Sequence, residues 1–256
     1  MRRVAALPAL CLALVAQAAG PAADGRRSGF DFMSPSTQAM QRDDTLNPGM
    51  LWVEEGEQLW SRPVGARQQS CASCHGDARS SMRGVAARYP AFDTVEQRPI
   101  DLRQRIATCQ RKLQPDAPPP AERQDLLSLE AYVGTQSRGM PIAPPPDPRL
   151  EAPRERGRAL FHQRLGQLDL SCADCHDAQA GRRLGGSPIP QGHATGYPIY
   201  RLEWQGLGSL QRRVRACMSG VRAEPFAWGA PELLELELLL AWRARGLPVE
   251  TPAVRP

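Results

Sequence analysis

Two short motifs hold the residues best suited to chemistry, Cys71-Ala72-Ser73-Cys74-His75 and Cys172-Ala173-Asp174-Cys175-His176. In a CxxCH pentapeptide the two thiols can form thioethers to a porphyrin, and the adjoining histidine can bind its iron. This is the attachment pattern of a c-type haem. A CxxC pair alone would also suit zinc or thiol–disulfide exchange. Here both pairs end in histidine, in a chain with only 4 histidines. A four-cysteine zinc site would leave His75 and His176 without a role. The motifs therefore predict two covalently bound haem c groups. Cys71, Cys74, Cys172 and Cys175 attach them, and His75 and His176 bind the iron.

Two further cysteines bear on the other face of each iron. They sit in matched segments, Arg105-Ile106-Ala107-Thr108-Cys109 and Arg213-Val214-Arg215-Ala216-Cys217. They could join in a disulfide, which an oxidising compartment permits, or each could ligate the haem of its own half. The duplication favours ligation, because a disulfide would require equivalent positions to meet across a symmetric interface. Met218 and His193 are rival ligands for the second haem. The first half has Gln110 in place of Met218 and no counterpart of His193. A thiolate ligand donates electron density to iron and lowers its potential, which suits sulfur chemistry better than routine electron shuttling. Arg213, Arg215 and Arg222 bracket Cys217. Cations there would keep a thiolate deprotonated and attract an anion; otherwise they pair with haem propionates or Glu224.

The elements that must position these residues occur twice. Gly56-Glu57-Gln58-Leu59-Trp60 begins fifteen residues before Cys71, and Gly157-Arg158-Ala159-Leu160-Phe161 begins fifteen before Cys172. After each lone cysteine comes an apolar pattern. One runs through Leu126, Leu127, Leu129, Tyr132 and Val133 to Gly139-Met140-Pro141. The other runs through Leu233, Leu234, Leu236, Leu239 and Leu240 to Gly246-Leu247-Pro248. Spacing of three and four predicts a helix with one buried face, and Gly followed by Pro ends it. Four landmarks in one order predict an all-α protein of two tandem cytochrome c domains. Each reads as helix, haem motif, long loop, lone cysteine and closing helix. The domains are placed at residues 47–140 and 154–256, after an N-terminal extension at 19–46. Residues 141–153, rich in proline, read as a stiff extended linker.

Composition narrows the function classes. A length of 256 residues suits two small domains, and aromatic residues make up only 5%, so two porphyrins would supply much of the apolar bulk. A net charge of +5 is too mild to argue for nucleic acid. Lys112 is the only lysine. Arginine suits planar oxyanions and ion pairs, although a GC-rich coding sequence accounts for most of this bias. Residues 1–18 read as a signal peptide: Arg2 and Arg3, an apolar run, then Ala16-Gln17-Ala18. The run is too short to span a bilayer comfortably, and Cys11 within it is expected to be discarded. No later stretch predicts a membrane span; the best, residues 233–242, is interrupted by Glu235 and Glu237. Export predicts a periplasmic protein.

The segment from Arg213 to Pro225, centred on Arg213-Val214-Arg215-Ala216-Cys217-Met218-Ser219-Gly220, resembles the active-site region of the SoxA family. These are the larger cytochrome c subunits of the SoxAX complexes of bacterial sulfur oxidation. The tail is similar too, with Trp242-Arg243, Gly246 and Val254-Arg255-Pro256, and the likeness runs from about Asn47 to the end. The first haem motif is retained, as in dihaem members. The resemblance implies an L-cysteine S-thiosulfotransferase. With SoxX, it would couple thiosulfate oxidatively to a cysteine of the SoxYZ carrier. It also implies that Cys217 is the active-site cysteine, ligating the second haem and able to carry an extra sulfur. Arg213 would stand beside it, and Cys109 would ligate the first haem. A dihaem electron carrier without catalysis is the alternative, and Met or His distal ligands would suit it better. A dihaem peroxidase would need acid–base residues near an openable haem, and this chain has few spare histidines.

Overall fold

The computed structural model describes residues 24–116 and 122–256. The predicted signal segment and part of a proline cluster at 115–120 lie outside them. After α1 (Pro35–Arg42), the first domain runs through α2 (Met50–Ser61), the motif helix α3 (Cys71–His75) and α4 (Ala78–Ser81). It continues with β1 (Ala91–Asp93), β2 (Arg98–Ile100), α5 (Leu102–Leu113) and α6 (Gln124–Thr135). The second domain repeats the plan. It comprises α7 (Glu151–His162), the motif helix α8 (Cys172–His176), β3 (Arg183–Leu184), β4 (Ser187–Pro188), β5 (Ile199–Arg201), β6 (Gly206–Gly208), α9 (Leu210–Gly220) and α10 (Pro231–Arg243). Strand β7 (Ala253–Arg255) follows near the C-terminus.

Two glycines decide how the helices cross. A Cβ on Gly56 would lie 2.1 Å from the Ser128 carbonyl oxygen, and one on Gly157 would lie 2.1 Å from that of Glu235. Only glycine lets α2 lie on α6 and α7 lie on α10 at this distance. The same glycines mark the start of each repeat in the sequence. The closing helices bury the apolar faces predicted for them. Leu126, Leu127, Leu129 and Val133 are buried in one, and Leu233, Leu234, Leu236 and Leu239 in the other.

The helical frame has additions. What reads as a long loop contains a hairpin in each domain, β1–β2 and β5–β6, both antiparallel. Each follows a Tyr-Pro pair, Tyr89-Pro90 or Tyr197-Pro198, and turns through a glutamine at positive φ, Gln97 (51°) or Gln205 (47°). Strands of three residues are too short to show an alternating pattern. In the second domain β7 joins parallel to β5. The lone cysteines stand upstream of the closing helices, each on a helix of its own. Cys109 lies within α5 and Cys217 within α9, helices capped by Asp101 and Ser209. Both helices are rich in arginine and hold few apolar residues, although these recur at helical spacing, Leu102, Ile106, Cys109 and Leu113 in one and Leu210, Val214 and Cys217 in the other.

The linker is docked rather than free. Ile142 is buried; its N–H donates to Leu247 O at 2.8 Å, and Gly246 N–H donates to Ile142 O at 2.8 Å. Ala143 N–H donates to Ala87 O at 2.8 Å. Residues 151–153 already form the first turn of α7. The N-terminal extension crosses to the second domain. Arg26 donates to the carbonyls of Arg243 and Arg245 at 3.0 and 2.6 Å, and Asn47, the first residue of the first domain, donates to Pro252 O at 2.9 Å.

The domains share a polar interface. Arg103 is 2% exposed. It lies 2.9 Å from Glu122 and 3.7 Å from Asp101. From the second domain, Gln211 donates to Asp101 at 3.1 Å and Ser209 N–H donates to Glu122 at 3.2 Å. No helix among the described residues is long and apolar enough to cross a membrane.

Candidate functional site

Each motif helix is fixed by its cap. Ser70 accepts from Ser73 N–H at 3.1 Å while the Ser73 hydroxyl accepts from Ser70 N–H at 3.0 Å. In α8, Ser171 and Asp174 make the same reciprocal pair at 3.1 and 2.8 Å. A capping box satisfies N–H groups that a five-residue helix would leave open. It also puts the cysteines three apart on one side of the turn.

The second site is a cavity of about 460 Å³. Cys172, Cys175, His176 and Cys217 line it, among apolar walls that include Phe161, Ile199, Val214 and Leu240. His176 Nδ1 hydrogen-bonds Pro190 O at 2.8 Å. That contact orients the ring and leaves Nε2 facing the cavity, as an iron-ligating imidazole requires. Cys217, from α9, comes within hydrogen-bonding reach of the same ring. This donor set fits haem c: two thiols for thioethers, an oriented imidazole, a facing thiol and an apolar enclosure.

Cys217 is electrostatically tuned. Burial works to raise its thiol, but the His176 hydrogen bond and the guanidinium groups of Arg213 and Arg201 outweigh it, and its pKa lies below the ordinary value. Arg213 is one helical turn before Cys217, on the same face. The expected bracket of three arginines is corrected. Arg215, two residues away on the helix, turns aside and stacks on Trp228 at 4.6 Å. Arg222 follows α9 at φ 59°; its N–H donates to Ser219 O at 2.9 Å and its carbonyl accepts from Gln167 N–H at 3.3 Å. Neither lines the cavity. Arg201 and Arg255 do, and sequence reading missed both. In β5, Ile199 and Arg201 point into the site while Tyr200 points away, towards Trp52 with ring centroids 5.7 Å apart. The only sequence signal for this was the repeated Tyr-Pro pair.

His193 belongs to the loop that backs His176. Burial, with Arg243 and Arg26, pushes its pKa down to about 4. It is not on the Cys217 helix. Met218 is buried beside Cys217 and lines the same cavity.

The first site assembles the matching residues in a more open setting. Cys71 packs with Trp60, Met82, Tyr89 and Ile106, while Cys74 and His75 are exposed. Trp60 Nε1–H donates to Gly76 O at 3.0 Å, and its ring stands 5.8 Å from that of His75. The Cys109 sulfur is near enough to interact with Cys71, as Cys217 is with Cys172 and Cys175. Each lone cysteine thus stands with its own motif, and no disulfide links them.

Two helical domains, each closing a crossed helix pair over a CxxCH helix, define a tandem c-type cytochrome carrying covalently bound haem c. The chain belongs to the SoxA/TsdA cytochrome c family, whose cytochrome c domain model matches residues 55–142 and 156–249. It is 37% identical to the L-cysteine S-thiosulfotransferase subunit SoxA of Pseudaminobacter salicylatoxidans over 246 residues, 94% of this chain and 86% of that protein. The SoxA subunit of Rhodovulum sulfidophilum is also 37% identical, over 91% of this chain and 81% of its own length. A chain in the crystal structure of SoxXA from P. pantotrophus superposes with a TM-score of 0.86. It is 32% identical, over 90% of this chain and 87% of that one.

Proposed function

We propose that this protein is the SoxA subunit of a periplasmic L-cysteine S-thiosulfotransferase. It carries two haem c groups and works with SoxX to join thiosulfate to a cysteine of the SoxYZ carrier. The names of its relatives support the activity. The observation that carries the residue assignment is Cys217, set in one cavity with His176 and guanidinium groups. The overall change is RSH + S₂O₃²⁻ → RS–SSO₃⁻ + H⁺ + 2e⁻. The two sulfurs become joined, and charge balances on both sides.

Haem c, when bound, supplies a one-electron acceptor whose potential a thiolate ligand lowers. Cys71, Cys74, Cys172 and Cys175 attach it, with His75 and Cys109, and His176 and Cys217, as the ligand pairs. The protein's own groups do the rest. The His176 hydrogen bond, Arg213 and Arg201 favour the thiolate form of Cys217, and Arg213 attracts the dianion. The capping boxes and the Pro190 carbonyl keep the opposing groups in place.

Cys217→Ala should abolish thiosulfate-dependent loading of the carrier while intact-protein mass spectrometry still counts two haems. Full loading by that variant would overturn the role given to Cys217. The same spectra should reveal any added sulfur on Cys217 as an increment of about 32 Da.

A further inference from the structure

The duplication supplies an internal control, because positions that differ between the copies mark what is particular to each site. In the first domain Asp93 closes β1 and Arg105 lies one turn before Cys109. The Asp93 carboxylate meets Arg105 at 2.6 Å and accepts Val95 and Glu96 N–H groups at 2.7 and 2.8 Å. Arg105 also reaches the Tyr89 hydroxyl at 3.3 Å. That guanidinium is neutralised.

In the second domain Arg213 takes the place of Arg105, and Arg201 takes the place of Asp93. The register is the same: Asp93 pairs with Arg98 across its hairpin, and Arg201 pairs with Gly206. A carboxylate has been exchanged for a guanidinium. Arg201 is 6% exposed. One of its nitrogens reaches Glu203 at 2.6 Å, a side chain 65% exposed, while its Nε is buried without a hydrogen-bond partner. Arg213 makes no ion pair among the described residues. Burial and the charge of Arg213 hold the Arg201 pKa below its ordinary value. Arg255 differs, being paired with Glu250 at 3.3 Å. Arg201, buried with an unpartnered Nε, and half-buried Arg213, without an ion pair, line the same cavity, and like charges gathered there are costly unless an anion completes the site.

We propose that Arg201 and Arg213 form an oxyanion receptor beside Cys217, that it holds the sulfonate end of thiosulfate, and that Arg201 is a determinant of affinity for this substrate. The inference rests on the thiosulfotransferase reading. Guanidinium forks match the oxygens of a sulfonate bidentately. Held by that end, thiosulfate keeps its terminal sulfur free for the S–S bond. No bond is made or broken in the binding step.

The test is Arg201→Asp, which installs the pairing of the first domain and neutralises Arg213. In the complex with SoxX, haem content should be unchanged. The KM for thiosulfate should rise on the order of 10- to 100-fold, the worth of a charge-assisted hydrogen bond, with a smaller change in kcat. Arg201→Lys should fall between, keeping the charge without the fork. Arg201→Gln, which removes the charge without adding an acid, serves if the aspartate variant does not fold. Calorimetric titration of the holoprotein with thiosulfate reads the receptor without any turnover. It therefore separates failure of this inference from failure of the thiosulfotransferase reading. Unchanged KM and calorimetric affinity in the folded variants would overturn the receptor. So would an altered pH dependence of the haem potential with anion affinity intact, since it would give the pair to the carboxylates of the haem propionates.

Discussion

At the scale of the residue, the two lone cysteines occupy equivalent positions in unlike fields. Cys217 has Arg213 and Arg201 beside it, whereas the arginine before Cys109 is spent on Asp93. Substituting each cysteine by methionine should separate them. Cys217→Met is expected to end carrier loading. Cys109→Met is expected to remove the thiolate EPR signature of one haem while loading continues. Loading assays and EPR on the same samples check both, and equal loss of loading would refute the division of labour. The sequence pointed to Cys217 through the repeat and to Arg213 through its nearness and the resemblance, and the structure puts them one turn apart on α9. The sequence misassigned Arg215 because proximity in sequence ignores helical period: two residues along a helix point to different sides. It missed Arg201 because no local pattern links a strand end to a helix that begins nine residues later.

At the scale of the element, the crossing glycines carry a specific cost. Gly157→Ala would put a methyl group where the Glu235 carbonyl lies, at 2.1 Å, and α7 would have to move off α10. Overpacking of this kind costs about 1–3 kcal/mol. The holoprotein should therefore unfold several degrees lower in a thermal scan. Gly186→Ala, with nothing within 4 Å of the new methyl, should leave the transition where it is. These two elements were legible early, because the Gly-to-CxxCH spacing and the closing apolar stripe both repeat. The hairpins were not, since three-residue strands held by tertiary contacts leave no periodic signal. α5 and α9 carry only a narrow apolar stripe among their arginines, Leu102, Ile106, Cys109 and Leu113 in one and Leu210, Val214 and Cys217 in the other, and that stripe is easily passed over beside the leucine-rich closing helices.

At the scale of the whole molecule, duplication places Glu130 of α6 and Glu237 of α10 in one buried cluster with Asp101 and Glu122, facing Arg103. Burial pushes the Glu130 carboxyl up to about 8 against the pull of Arg103, and burial raises Glu237 too. The folded protein thus keeps protons that the unfolded chain has released above about pH 4.5. Stability should fall as pH rises from about 5 towards 8, by up to about 1.4 kcal/mol per pH unit for each such group. Glu130→Gln, neutral at every pH, should flatten that decline in melting temperatures taken across the range. A slope identical to that of the parent protein would place the titrating groups elsewhere.

The cofactor chemistry, the duplication and the closing helices were set by residue type and spacing alone, because thioether attachment and helical amphipathicity are local codes. The tertiary structure decided what local codes cannot hold. It docked the proline-rich linker onto both domains and carried the N-terminal extension across to the second. It also brought Arg201 from a strand to face Arg213 on a helix. The inequality of the two sites lies in that meeting. A charge exchanged at one hairpin position acquires its meaning only when the hairpin folds against the cysteine helix.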